Sequence, residues 1–334
     1  MTTRFALLGA GRIGKVHAKA IASNPDASLV AVADAMPNAA GEIAAKYGCV
    51  VKTIDEIAAS SDINAVVICT PTDTHADLIE KFAKAGKAIF CEKPIDLSVA
   101  RVKACLEIVA QTKATLMVGF NRRFDPHFMA VREAIDAGRI GDVEMVTIIS
   151  RDPAPPPVDY IKRSGGIFRD MTIHDFDMAR FLLGEEIATV SAQASVLVDK
   201  AIGLAGDFDS VSVMLATASG KHATISNSRR ATYGYDQRIE VHGSEGVVSA
   251  ENQRAVSIEI AGANGYTRPP LLDFFMTRYT QAYANEIAAF IDAIGGKRTA
   301  APSGTDGLIA LALADAALKS ATEHRVVSVS EIIA

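Results

Sequence analysis

The stretch "RFALLGAGRIG" (residues 4–14) limits what this chain can fold into more than any other. An apolar run ends in a glycine, and Gly9, Gly11 and Gly14 follow in G-x-G-x-x-G spacing before a helical pattern begins. Glycines cluster in many turns, so the spacing alone says little. Between a strand and a helix it has a physical meaning. The first glycine permits the tight turn, the second lets a pyrophosphate reach the backbone, and the third lets helix and strand pack closely. Amide groups at the helix start, and the helix dipole, then favour phosphate. Asp34 ends the next apolar run, twenty residues beyond Gly14. A carboxylate there accepts ribose hydroxyls and repels a 2′-phosphate. The following "AMPN" offers no Arg or Lys to receive one. Gly9, Gly11, Arg12, Ile13, Gly14 and Asp34 are therefore expected to hold NAD rather than NADP. The competing reading is a capped turn beside an exposed aspartate.

The rhythm around this stretch repeats. Residues 4–9, 28–34, 65–70, 87–93 and 115–120 read as strands, nearly continuous in apolar residues, as strands covered on both faces are. Helical patterns at 15–23, 74–86 and 98–112 lie between them. This alternation predicts an α/β protein whose N-terminal half is a Rossmann unit, a doubly wound parallel sheet. From about residue 124 the pattern changes. A helix (125–137), a β-run (143–151), the Pro-rich "DPAPPPVD" and a further helix come first. Longer β-type segments follow at 188–198, 207–217, 222–230, 237–243 and 255–260, with tight turns at "ASGKH" and "GSEG". Helices at 276–294 and 305–320 close the chain. The expected division is an NAD-binding domain over residues 1–121 and a C-terminal α/β domain over 122–334. The second would carry a large, mostly antiparallel open sheet and serve substrate binding and oligomerisation.

A length of 334 residues suits two domains of ordinary size. The net charge of −5, with no basic cluster, leaves no electrostatic footprint for nucleic acid. No apolar run approaches a membrane span, and the N-terminus enters the first strand without a signal-peptide pattern. Cys49, Cys69, Cys91 and Cys105 form no C-x-x-C pair. They read as buried, reduced thiols of a cytoplasmic protein rather than a zinc site.

The chemistry-bearing residues fall past strand ends, where α/β sheets bind ligands. In "CTPTDTH" (69–75), Thr70, Pro71 and His75 are placed to border the nicotinamide half, although His75 serves equally well as a helix-start residue without a ligand. In "CEKP" (91–94), Glu92 and Lys93 follow a strand and are expected among the cofactor-binding residues, and a residue before proline is held extended. Lys93 would then project into the crevice; a solvated surface lysine is the default alternative. "GGIFRDMTIHDFDMARFLLG" (165–184) spaces Asp170, His174 and Asp177 four and then three residues apart, on one helical face. That cluster is a solvated face, a set of metal ligands or an acid–base device. Zinc asks for three or four ligands, and neither a Cys-rich nor an H-E-x-x-H pattern is present, so no metal is expected.

Taken in order and spacing, these motifs resemble the glucose–fructose oxidoreductase/inositol dehydrogenase family. "GFNRRFD" (119–125), "HDFDMARFL" (174–182), "YGYDQRIEVHGSEG" (233–246) and "PSGTDGLIALALADAALKS" (302–320) extend the resemblance over essentially the whole chain. It implies a catalytic triad of Lys93, Asp170 and His174. It also implies hydroxyl contacts from Arg122, Asp152, Asp177, Tyr235 and Tyr283. The implied reaction is NAD-dependent oxidation of a cyclic polyol, myo-inositol to its 2-keto form; an aldose, another inositol isomer or a non-catalytic sugar sensor are the alternatives. At "SRDP" (150–153) some relatives place a histidine where Ser150 stands, which bears on stereochemical fit. The residue types suit the reaction, which takes a hydride from carbon and a proton from oxygen. His174 is the natural base, Lys93 would stabilise alkoxide character on the reacting oxygen, and Asp170 would either orient the imidazole or balance Lys93 and the developing imidazolium. A homotetramer through the C-terminal sheets is also implied. Alternating apolar positions at Ala192, Ala194, Val196 and Val198, and at Val211, Val213 and Leu215, would give one face to helices and the other to a second subunit.

Overall fold

The structure, a computed structural model, describes residues 2–334. The early apolar runs form β1 (Thr3–Leu8), β2 (Ala27–Ala33), β3 (Val50–Val51), β4 (Ala65–Ile68), β5 (Ala88–Glu92) and β6 (Leu116–Gly119). Between them run α1 (Arg12–Ala22), α2 (Pro37–Tyr47), α3 (Ile54–Ala59), α4 (His75–Lys84) and α5 (Val99–Thr112). The six strands pair in the order β3-β2-β1-β4-β5-β6, every pair parallel. The order reverses beside β1, which has β2 on one side and β4 on the other. A crevice for ligands opens at such a switch, beyond the strands' carboxyl ends. The expected strands agree within a residue or two. α2, α3 and β3 were not foreseen, yet their signals are local: Pro37 opens α2 and Gly48 closes it at φ +69°. Thr53 and Glu56 form a capping box on α3.

The second half contains α6 (Pro126–Asp136), β7 (Val143–Arg151), α7 (Val158–Ser164), a π-helical turn (Phe168–Thr172) and α8 (Ile173–Leu183). β8 (Ile187–Ser195), α9 (Lys200–Leu204), β9 (Ser210–Thr217), β10 (His222–Ser228), β11 (Asp236–Gly243) and β12 (Gly246–Ala250) come next. The hairpin β13 (Ile260–Gly262) and β14 (Gly265–Thr267) precedes α10 (Phe275–Arg278), α11 (Thr280–Ile294), α12 (Gly304–Glu323), β15 (Val327–Ser328) and α13 (Ser330–Ile333). Seven strands pair in the order β12-β11-β7-β10-β9-β8-β15. All pairs are antiparallel except β10 with β7. The sheet is therefore mixed, its parallel pair made by a long return connection that contains α8. Val146, Ile148, Val213, Leu215, Ile225, Ile239 and Val241 are buried on one face, against which α8 packs. Met145, Thr147, Met214 and Val247 lie exposed on the other.

Three expectations are corrected. Residues 255–260 form no long strand; only an Arg254–Leu271 bridge and the short exposed hairpin occur there. The helix expected over 276–294 is broken at Tyr279 into α10 and α11. Val196 falls beyond the end of β8 and is exposed. The division of the chain also differs from two consecutive segments. One compact unit holds the chain up to Asp125 together with Thr280–Leu311, and the other holds Pro126–Tyr279 and Ala312–Ala334. The reason is packing of α11 on the first sheet. The Phe290 ring meets Phe5 at 6.1 Å and Phe90 at 5.7 Å, and Val118 N–H donates to the Pro302 carbonyl at 2.9 Å.

Candidate active site

In the first unit, Gly9 ends β1 at φ +95°, and a Cβ there would lie 2.6 Å from the Cys69 carbonyl. Only glycine allows that turn and that approach. A Cβ on Gly14 would lie 2.0 Å from the Gly9 carbonyl, so α1 starts tight against the loop. Gly11, in contrast, faces open space. It is the N-cap of α1 and makes no side-chain cap, which leaves the first-turn amides for an outside acceptor. Arg12 is exposed and Ile13 half-buried on the same turn. The Asp34 carboxylate is already oriented: Oδ2 accepts from Ala10 N–H at 2.5 Å and Oδ1 from Met36 N–H at 2.7 Å.

His75 links the next two loops. Its Nε2 lies 2.7 Å from the Thr70 carbonyl and its Nδ1 2.8 Å from the Pro94 carbonyl. Burial holds its pKa below the ordinary histidine value, against the carbonyls, which favour the proton. His75 is 2% exposed, and both its ring nitrogens lie within hydrogen-bond distance of these carbonyls, one of which the N–H of a neutral ring can serve. It lies between the Thr70 and Lys93–Pro94 turns. Thr70 also pairs hydroxyl to hydroxyl with Thr74 at 2.7 Å, and Pro71 is exposed. Lys93 is half-buried directly after β5. Arg122 is buried in the turn after β6.

Glu92 turns its carboxylate inward, 2.6 Å from His17 Nε2 on α1. Glu286 of α11 lies 3.9 Å from the same nitrogen, with both its oxygens lacking a hydrogen-bond partner. Burial, with the Glu92 charge adding to it, pushes the Glu286 carboxyl well above its usual range. Tyr283 stands edge-on to His17 at 5.6 Å. Among the described residues this is the one group of three potential metal ligands. Its 2.6 Å contact is a hydrogen bond. Neither His17 nor Glu286 was foreseen, because their partners are distant in sequence.

In the second unit, Asp170 lies in the π-helical turn that leads into α8, a local irregularity common at functional sites. Tyr160 O–H donates to its Oδ1 at 2.8 Å. Arg229 directs Nη1 and Nη2 at its Oδ2, at 3.4 and 3.5 Å. His174 is half-buried in the first turn of α8, and Asp177 is buried one turn later. Asp152 N–H donates to the Ser228 carbonyl at 2.9 Å, joining the ends of β7 and β10. Tyr235 is buried edge-on to Phe274 and Tyr279, at 5.6 and 6.0 Å. Ser150 is buried and donates to Asp175 Oδ1 at 2.6 Å, and Asn227 donates to the other Asp175 oxygen at 2.8 Å. That network ties α8 to the sheet beneath the site.

A glycine loop after β1 and an oriented acid after β2 are what a dinucleotide-binding fold requires, and comparison with known proteins gives the family. Residues 3–120 match the oxidoreductase family with NAD-binding Rossmann fold, and residues 128–249 match the GFO/IDH/MocA C-terminal domain. The chain belongs to the GFO/IDH/MocA family. This family member is 76% identical over 330 residues to the inositol 2-dehydrogenase of Rhizobium meliloti, covering 99% of this chain and 100% of that protein. It is 45% identical to the myo-inositol 2-dehydrogenase of Thermotoga maritima, covering 99% of each. The solved scyllo-inositol dehydrogenase of Lactobacillus casei, with bound NAD(H) and scyllo-inositol, has a TM-score of 0.92 at 29% identity, over 99% of this chain and 100% of that one. The family member is an oxidoreductase that uses NAD. Its residues fit that cofactor: the open side at Gly11, the uncapped start of α1 and the oriented Asp34 carboxylate are what a dinucleotide requires.

Proposed function

We propose that the chain oxidises myo-inositol to its 2-keto form with NAD, an inositol 2-dehydrogenase. The observation that carries this reading is the match to the Rhizobium inositol 2-dehydrogenase over the full length of both chains. Bound NAD supplies the hydride acceptor. His174 takes the hydroxyl proton of the reacting alcohol. Lys93 donates a hydrogen bond to the same oxygen and stabilises its developing charge. Asp170 orients the imidazole and balances its positive form. Arg122, Asp152, Asp177, Tyr235 and Tyr283 hold the remaining hydroxyls, since a polyol ring brings many polar groups that must be satisfied.

The scyllo isomer is the second reading, supported by the fold shared with the Lactobacillus casei scyllo-inositol enzyme. The test follows NADH absorbance with NAD and a panel of inositol isomers and aldoses. Turnover of myo-inositol above the rest is the expected result. Preference for the scyllo isomer or an aldose would keep the chemistry and replace the substrate. Tight NAD binding without turnover of any member would point instead to a sensor. We extend the reading to a cytoplasmic homotetramer assembled through the exposed sheet face that carries Met145, Met214 and Val247, which light scattering would measure directly.

A further inference from the structure

Arg229 is the first residue past β10, and it is 1% exposed. A guanidinium that deep needs compensation. Two carboxylates supply it. Asp170 Oδ2 lies 3.4 Å from Nη1, and Asp207 Oδ2 lies 3.6 Å from Nη2. The pairing of β9 with β10 brings the Asp207 and Arg229 ends of the hairpin together, with Ser210 opposite Ser228 and Arg229 N–H bonded to the Asp209 carbonyl at 2.8 Å. Asp207 is fixed in turn by Ile167 N–H, which donates to its Oδ1 at 2.9 Å. Gly166 admits that carboxylate: its φ is +84°, and a Cβ there would lie 2.7 Å from Asp207 Oδ1. Two negative charges thus share one positive charge, and both lie nearly equally far from it.

We propose that Arg229, held between Asp170 and Asp207, is a positioning residue that sets how much of the Asp170 charge is left to support a protonated His174. The inference rests on the assignment of His174 as the base. A cation given wholly to Asp170 would neutralise a carboxylate four residues before His174, in the turn that leads into α8. Shared with Asp207, it anchors Asp170 and leaves the two carboxylates together one negative charge in excess of Arg229. Tyr160, from α7, holds the other Asp170 oxygen. Three other charged groups of the same unit have partners of their own. Arg169 pairs with Asp315 of α12 at 2.6 Å, Asp175 is bonded to Ser150 and Asn227, and Asp209 accepts the N–H groups of Leu197, Val198 and Asp199. Asp177 and the proposed oxygen ligand Lys93 are the same in every variant compared below and form a constant background.

The test is the acid limb of the pH profile of kcat/KM for inositol oxidation. Asp207→Asn keeps an oxygen for Ile167 N–H but removes the competing charge, so Arg229 passes to Asp170. The acid limb is expected to move to lower pH by about half a unit or more, with kcat reduced and KM for NAD unchanged. Arg229→Lys keeps the charge and loses the fork, so the limb should stay in place while kcat falls. An unmoved limb in a folded Asp207→Asn protein would overturn the inference, as would a shift to higher pH. His174→Ala separates the two levels of the argument. If it loses turnover while the Asp207→Asn limb stays fixed, the inference alone fails. If it retains wild-type turnover, the assignment of the base fails and takes this inference with it.

Discussion

Asp34 shows how the backbone can set a side chain in place for a proposed ligand contact. Its two oxygens take the N–H groups of Ala10 and Met36, so the carboxylate is held at the glycine loop before any ribose arrives. Asp34→Ala removes a charged acceptor and the repulsion that excludes a 2′-phosphate. KM for NAD is expected to rise about tenfold or more, and the NAD/NADP ratio of kcat/KM to fall; an unchanged ratio in steady-state kinetics would remove Asp34 from the ribose. His174→Ala should lose roughly 100- to 10,000-fold in kcat while calorimetry still detects NAD binding. Glu286 tests burial instead of chemistry. Its folded pKa is raised, so between the ordinary glutamate pKa and that raised value the unfolded chain releases a proton that the folded chain keeps. Stability therefore falls as pH rises through that window. Glu286→Gln removes the dependence, and its melting temperature should exceed that of the parent protein by more at pH 8 than at pH 5. Lys93, Asp170 and His174 could be nominated from the sequence because each sits in a short motif whose neighbours constrain it. His17 with Glu92 and Arg229 with Asp170 could not, being 75 and 59 residues apart, and only the folded topology brings such pairs together.

At the scale of elements, the β1–α1 junction is the most exacting. Gly14 lets α1 start against the Gly9 carbonyl, and a methyl group at 2.0 Å has nowhere to go without moving the helix. Gly14→Ala is expected to abolish NAD binding and lower the melting temperature by several degrees, readable by fluorescence titration and thermal scan. The parallel sheet could be read from sequence because strands buried on both faces announce themselves as continuous apolar runs. The second sheet hid more. Local alternation describes β7 and β10 equally well whether they run parallel or antiparallel, so the parallel pair emerges only from the return connection through α8. Residues 255–259 alternate like a strand yet join no ladder, and only Ile260 pairs, opposite Thr267 in the short hairpin. The break at Tyr279 falls inside an unbroken helical pattern, where tertiary contacts override propensity: its ring lies edge-on to Phe128 at 6.4 Å and its hydroxyl reaches Gln237 at 3.3 Å.

For the whole molecule, the chain's return to its first unit has a consequence for dissection. A fragment ending at Asp125 contains every strand of the parallel sheet but lacks α11, whose Phe290 packs on Phe5 and Phe90. Such a fragment is expected to bind a hydrophobic dye and to show weak near-ultraviolet circular dichroism; a native-like spectrum and NAD binding would show that α11 is dispensable. The same return sets a timetable on the ribosome. Residues 126–279 must be translated before Thr280–Leu311 emerge, which takes roughly 10–30 s at ordinary elongation rates. Through that interval the nascent first sheet waits with an apolar surface uncovered. Whatever guards newly made chains in the cell has longest access to this protein there, and a slow codon run just before Thr280 would lengthen the exposure without changing a single amino acid.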